Sequence, residues 1–97
     1  MKLYKKELIN NFKNLNGWSI DNESSFIFKT YSFNDFKDAF SWMKSVSVEA
    51  ENLNHHPEWK NVYNTVEVVL TTHDVSGLSN KDFLLADFMD KESIKFL

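Results

Sequence analysis

Apolar residues recur at steps of three and four along three stretches of the chain, which is the spacing of one face of an α-helix. The first stretch covers residues 1–15 and should end at Asn14 to Gly17, where the glycine suits a left-handed cap. The last stretch is predicted to begin at Ser79, an N-cap with Asp82 as its capping-box partner, and to continue to about Leu97. The pattern therefore predicts a helix at each end of the chain.

The middle stretch predicts the longest helix, of about twenty residues. Ser32 is expected to cap it, with Asp35 as the capping-box partner. The helix should stop between Asn54 and His56, because Pro57 disfavours the helical conformation of the residue before it. The apolar stripe of this helix, which we interpret as its core face, consists of Phe36, Ala39, Phe40, Met43, Val46, Ala50 and Leu53.

Runs of aromatic and β-branched residues between the helices predict strands. Two of them, Trp18 to Ile20 and Phe26 to Tyr31, are separated by a polar turn. Residues 59–72 are too many for one strand, so we predict a hairpin that bends near Tyr63-Asn64. The order α-β-β-α-β-β-α predicts an α+β fold in which a four-stranded antiparallel sheet carries its helices on one face. The outer strands would be exposed edges that favour self-association.

Composition narrows the class of protein. A length of 97 residues with two glycines and one proline predicts a single domain, residues 1–97, made mostly of regular elements. The absence of cysteine excludes a disulfide framework and a thiolate zinc site. The net charge is −3 and all basic residues are lysines, which argues against direct nucleic-acid binding. With no long apolar run and no signal-peptide pattern, we expect a cytoplasmic protein without a membrane partner.

The three histidines flank the predicted hairpin: His55 and His56 precede it and His73 follows it. If the hairpin folds back, His73 returns towards the adjacent pair. Glu51 stands one helical turn before His55, so we expect its carboxylate to contact that ring. Because imidazole exchanges protons near neutral pH, the pattern favours metal-free general acid–base catalysis on a small polar substrate.

Other interpretations of the histidines stay open at this point. Each histidine alone could be a half-exposed polar residue at the end of an element. A zinc site with three histidine ligands is disfavoured, since adjacent histidines point in different directions. Nucleophilic catalysis is also disfavoured, because the chain has no cysteine and no serine in a nucleophile-elbow context.

The spacing of these residues resembles the signature of the pterin-4a-carbinolamine dehydratases. The similarity extends from about Leu15 to Asp90, and a pattern that fixes so many positions is far more specific than a short motif. The matching positions are Glu51, His55-His56-Pro57-Glu58-Trp59, Asn61-Val62-Tyr63-Asn64, Thr72-His73 and Asp82.

The resemblance implies the activity of a 4a-hydroxytetrahydrobiopterin dehydratase, a lyase that removes water from 4a-hydroxytetrahydropterin and leaves the quinonoid dihydropterin. This reaction recycles the cofactor of aromatic amino-acid hydroxylases, phenylalanine hydroxylase above all. The resemblance also implies that no metal or organic cofactor is needed and that the protein is a homo-oligomer, either a dimer or a tetramer. The alternative is a non-enzymatic member that binds a pterin or acts as a transcription coactivator.

The resemblance further implies roles for individual residues. His55 and His73 would act as acid–base groups on the departing hydroxyl, and His56 would bind the pterin and take the proton from N5. Glu51 and Asp82 would support the site. The expected substrate-binding residues are His55, His56, Pro57, Thr72, His73, Asp74 and Val75.

Overall fold

The computed structural model of the protein describes all residues, 1–97, and confirms the predicted α+β fold and order of elements. The helices and strands are α1 Lys5–Lys13, β1 Ser19–Ile20, β2 Ile27–Ser32, α2 Phe36–Leu53, β3 Glu58–Val62, β4 Thr65–Leu70 and α3 Asn80–Ser93. Short 3₁₀ turns cover His73–Val75 and Ile94–Phe96. None of the helices combines the length and the apolar character needed to cross a membrane.

The four strands form one sheet in the order β1-β2-β4-β3, and every neighbouring pair is antiparallel. Side chains alternate along the central strand β4, where Val66, Val68 and Leu70 are buried and Glu67 is exposed. The helices cover the buried face, while the other face presents exposed residues such as Phe28. The sheet therefore has two edges, β1 and β3, as the sequence predicts.

The core face of α2 differs from the predicted stripe. Phe36 and Phe40 are 50% and 53% exposed, whereas the fully buried Trp42 lies outside that stripe. Trp42 donates its indole N–H to the carbonyl of Met89 at 3.0 Å, which joins α2 to α3. The small Ala39 and Ala50 are also buried and leave room for the large indole between the helices and the sheet. The prediction for Phe36 and Phe40 is therefore wrong: the helix is rotated to bury its tryptophan.

The boundaries of two helices also differ from the prediction. The N-cap of α2 is Asp35, whose side chain accepts the amide of Asp38 at 2.8 Å, and not Ser32. Ser32 is still part of β2 and pairs with Thr65, so its position is fixed by the sheet. Helix α1 ends at Lys13, and Gly17 takes its positive φ of 79° in the loop that follows.

The hairpin bends at Tyr63 and Asn64, as predicted, because Val62 pairs with Thr65 across it. The left-handed residue of the bend is Tyr63, with a φ of 51°, and not the asparagine. The side-chain amide of Asn61 donates to the carbonyls of Tyr63 and Thr65 at 3.0 and 2.9 Å. These bonds satisfy the backbone of the tight turn.

A polar cluster around Asp90 joins the sheet to α3. The carboxylate of Asp90 accepts hydrogen bonds from the indole of Trp18, the ammonium of Lys29 and the hydroxyl of Tyr31. Lys29 lies 2.7 Å from this carboxylate. Burial, and then the hydrogen bond and charge of Asp90, raise the pKa of Tyr31. The cluster links strand β2 and the residue just before β1 to the last helix.

Candidate functional site

The end of α2 places the two adjacent histidines in different surroundings. Asn54 takes a left-handed conformation, with φ 51° and ψ 46°, and asparagine tolerates this better than most residues. The amide of His55 then donates to the carbonyl of Ala50 at 2.9 Å. As a result His55 turns inwards and is 8% exposed, whereas the side chain of His56 is 58% exposed.

The hairpin brings the third histidine to the same place. Strand β4 runs back along β3, and the chain then forms a short loop in which the amide of Thr72 donates to the carbonyl of Gly77 at 2.8 Å. His73 begins the 3₁₀ turn inside this loop. The fold-back therefore carries His73 to the end of α2, where the other two histidines lie.

The three histidines line one shallow depression of about 210 Å³. Its wall is entirely polar and consists of Asn54, His55, His56, Thr71, Thr72, His73 and Asp74. Five of the seven residues expected to bind substrate belong to this wall. Pro57 does not line it, and Val75 lines a neighbouring depression near Leu3.

His55 is paired with the buried carboxylate of Asp82. Its Nε2 atom lies 2.6 Å from Oδ1 of Asp82, a residue with 0% exposure. The other oxygen, Oδ2, accepts the hydroxyl of Thr72 at 2.7 Å and the amide of Ser79 at 2.9 Å. The capping box of Ser79 and Asp82 is present as predicted. A buried carboxylate needs such donors, so this group is fully satisfied.

The expected contact between Glu51 and His55 is wrong. The carboxylate of Glu51 contacts His56 instead, with 2.5 Å between Oε2 and Nε2. The expectation assumed that the helix continues to residue 55, but α2 ends at Leu53 and the left-handed Asn54 turns His55 away. Glu51 is 76% exposed in its side chain, and an exposed pair of this kind contributes little to stability.

Sequence reasoning gave no role to three residues of the site: Asn54 and Thr71, which line the depression, and Glu58. The carboxylate of Glu58 lies 3.3 Å from Nε2 of His73, and both side chains are exposed. A bend at residues 63–64 puts Glu58 opposite Val69 on the neighbouring strand, close to the loop that carries His73. This register follows from the predicted hairpin and could have identified Glu58.

All three histidines thus contact a carboxylate through Nε2: His55 with Asp82, His56 with Glu51 and His73 with Glu58. Such a contact orients the ring and selects its tautomer, which decides whether the free nitrogen gives or takes a proton. No three acidic or histidine side chains are grouped closely enough to hold a metal ion. The geometry suits proton transfer to and from a small polar ligand.

Comparison of the sequence with protein families gives a match to "Pterin 4 alpha carbinolamine dehydratase" over residues 1–92. A protein of Roseobacter denitrificans named "Putative pterin-4-alpha-carbinolamine dehydratase" is 57% identical over 74 residues, which are 76% of this chain and 76% of that protein. A protein of the same name from Sinorhizobium fredii is 44% identical over 90 residues, which are 93% of this chain and 86% of its own.

Two solved structures are similar to this fold. The crystal structure of a transcriptional coactivator/pterin dehydratase from Brucella melitensis has a TM-score of 0.91 and 34% identity, covering 96% of this chain and 99% of that one. A pterin dehydratase-like protein identified as a RuBisCO assembly factor in the alpha-carboxysome has a TM-score of 0.68 at 14% identity, covering 80% and 90%, and shares the fold alone. The family match and the identity to these relatives show that the chain belongs to the pterin 4 alpha carbinolamine dehydratase family.

Proposed function

We propose that this protein is a 4a-hydroxytetrahydropterin dehydratase, a hydro-lyase that works without a metal or organic cofactor. Membership of the family supports the pterin substrate. The observation that carries the proposal is the shared depression, in which His55, His56 and His73 each contact a carboxylate. The reaction recycles the tetrahydropterin cofactor of an aromatic amino-acid hydroxylase, with phenylalanine hydroxylase as the expected functional partner.

The dehydration needs two proton transfers at neighbouring atoms of the pterin. The bond between C4a and the hydroxyl oxygen breaks while this oxygen receives a proton and leaves as water. The proton on N5 is removed, and the electron pair forms the double bond between C4a and N5. His55 and His73 act as acid–base groups on the hydroxyl, and His56 binds the ring and takes the proton of N5. Imidazole can perform both steps near neutral pH.

The walls of the depression hold the substrate in this proposal. Asp74 is exposed there and offers a carboxylate to the amino and amide edge of the pterin ring. Pro57 and Val75 lie beside the depression and contact the flat faces of the substrate. The cavity of about 210 Å³ is smaller than a typical ligand pocket, so the pterin side chain extends into solvent.

The proposal extends to the assembly and the location of the protein. The chain acts as a single domain over residues 1–97 and forms a homo-oligomer, a dimer or a tetramer. The unpaired edges β1 and β3 permit such association. The link to a hydroxylase rests on the resemblance to the family, and a cytoplasmic location is part of the same proposal.

A stopped-flow assay on enzymatically generated 4a-hydroxytetrahydropterin tests the activity. The protein should accelerate the loss of water above the rate in buffer, and each histidine-to-alanine variant should lose part of this acceleration. Lys37→Ala is the control, because Lys37 is exposed on α2 away from the depression. A folded wild-type protein that does not exceed the buffer rate would refute the proposal, as would full activity in all three histidine variants.

The second candidate is a member that binds a pterin, or acts as a coactivator, without catalysis. The name of the Brucella melitensis relative includes the coactivator function, which is why this candidate is kept. It predicts that a stable pterin analogue binds in the depression while the dehydration rate stays at that of buffer. Binding measured by titration calorimetry beside the stopped-flow assay separates the two candidates.

A further inference from the structure

We propose that Thr72 and Ser79 are positioning residues that act through Asp82 to hold His55 in the tautomer with a hydrogen on Nε2 and a free Nδ1. The consequence for catalysis rests on the proposed function, whereas the tautomer itself does not. The basis of the inference is a chain of hydrogen bonds that joins the end of β4, the start of α3 and the residue after α2.

The direction of each hydrogen bond in this chain can be assigned. The hydroxyl of Thr72 has one hydrogen and donates it to Oδ2 of Asp82 at 2.7 Å. In the hydrogen bond of 2.6 Å between the hydroxyls of Thr72 and Ser79, the donor must then be Ser79 and the acceptor Thr72. The order is therefore from Ser79 to Thr72 and from Thr72 to the carboxylate. Successive bonds of this kind polarise one another.

The carboxylate of Asp82 in turn determines which nitrogen of His55 carries the hydrogen. Oδ2 accepts two donors, the hydroxyl of Thr72 and the amide of Ser79, while Oδ1 faces only Nε2 of His55 at 2.6 Å. Both partners of Oδ2 are donors, which suits the ionised carboxylate, an acceptor through both oxygens. Nε2 must then carry the hydrogen, and in the neutral ring Nδ1 has none.

The free nitrogen of His55 is accessible from the depression. His55 forms its one side-chain hydrogen bond through Nε2. Every fully buried side-chain nitrogen or oxygen in the protein has a hydrogen-bond partner, so Nδ1, which has none, reaches solvent. His55 belongs to the wall of the depression, and the proposal places its exposed Nδ1 there. In this arrangement His55 takes a proton at Nδ1 and, once charged, returns it from the same atom to the departing hydroxyl.

This inference changes the expected role of Thr72. Thr72 belongs to the wall of the depression, but its hydroxyl is engaged by Asp82 and Ser79 and is not available to the substrate. Thr72 thus supports the base, and Ser79, which the sequence predicts only as the helix cap paired with Asp82, joins it.

Nuclear magnetic resonance of ¹⁵N-histidine-labelled full-length protein, without substrate, measures the tautomer of each ring directly. We expect His55 to carry its hydrogen on Nε2 in the wild type. Thr72→Val replaces the hydroxyl by a methyl group of similar shape and should reduce the share of this tautomer, while Thr72→Ser keeps it. Ser79→Thr is expected to keep it as well.

The same variants are then compared in the dehydration assay. Thr72→Val should lower kcat by on the order of 10-fold with little change in KM and should alter the pH profile, and Thr72→Ser should restore both. The inference is overturned if wild-type His55 carries its hydrogen on Nδ1, or if a folded Thr72→Val protein keeps the wild-type tautomer. A wild-type protein with the expected tautomer but no dehydratase activity would overturn the proposed function and leave the tautomer assignment standing.

Discussion

His55 and Asp82 lie 27 residues apart in the sequence, and their side chains meet at 2.6 Å in the interior of the protein. Both are buried, and Asp82 is completely inaccessible. The contact joins the end of α2 to the first turn of α3, so the position of the His55 ring depends on how these two helices pack.

We predict that Asp82→Asn lowers kcat by about 10²-fold, because the amide no longer fixes the hydrogen on Nε2 of His55. The unfolding free energy should fall by about 1–3 kcal/mol, since buried donors lose a charged acceptor. Stopped-flow kinetics and urea denaturation measure the two effects. The matched control is Asp87→Asn on the exposed side of the same helix, which should change neither by much. Equal activity in the two variants would contradict a supporting role for Asp82.

The exposed pair of Glu58 and His73 predicts a different balance of effects. His73→Ala should lower the dehydration rate by about 10²-fold or more, as expected for an acid–base group. Glu58→Gln should change the unfolding free energy by less than about 1 kcal/mol, because the pair is exposed and 3.3 Å apart. It should lower the rate only modestly, through a less well oriented ring. A larger kinetic loss in Glu58→Gln than in His73→Ala would show that the roles are reversed.

Tyr31 predicts a loss of stability at alkaline pH. Its pKa is raised by burial and by Asp90, so the folded state keeps a proton that the unfolded state releases above a pH of about 10. The contribution of Tyr31 to the unfolding free energy is fully present below a pH of about 10. Above it, this contribution decreases by at most about 1.4 kcal/mol for each pH unit.

Tyr31→Phe isolates this effect, because it removes the ionisable group and keeps the ring. The difference in unfolding free energy between wild type and Tyr31→Phe, from urea denaturation between pH 8 and 11, should narrow or change sign as the pH rises. A difference that stays constant over this range would contradict the burial of the Tyr31 hydroxyl against Asp90.

The rotation of α2 predicts opposite outcomes for two aromatic residues of one helix. Trp42→Ala should reduce the unfolding free energy by about 3–5 kcal/mol, because it leaves a cavity and removes the hydrogen bond from the indole to the carbonyl of Met89. Phe40→Ala should cost less than about 1.5 kcal/mol, since Phe40 is 53% exposed and its ring lies beside that of Phe36, which is also exposed. Urea denaturation compares them directly. Similar losses in both variants would contradict the observed orientation of the helix.

The sequence predicts the order of elements, the hairpin bend and the capping box of α3 because each depends on nearby residues. Ser79 and Asp82, for example, are three positions apart and satisfy the same helix end. The rotation of α2 depends instead on which side chains fill the space under the sheet. Spacing alone cannot rank Phe40 above or below Trp42, because both fall on faces with apolar neighbours.

The histidines were predictable as a group, and the hairpin register points to Glu58 as the partner of His73. The pairing of the two adjacent histidines with Asp82 and Glu51, by contrast, was not predictable. The fold-back of the hairpin brings His73 to the other two rings, and this follows from the order of elements. Glu51 contacts His56 and not His55, the partner predicted from the sequence, because a single residue at the end of α2 is left-handed. The spacing of apolar residues does not reveal this conformation.

Asn54 therefore makes two chemically identical neighbours inequivalent. One backbone unit of opposite handedness directs the first imidazole into a mostly buried, hydrogen-bonded position and leaves the second exposed, where it can follow an incoming ligand. The chain obtains a rigid group and an adaptable group from a repeated residue, with no insertion and no additional element. A residue at position 54 that disfavours the left-handed conformation would make the burial of the two rings more alike, although neither histidine is itself substituted.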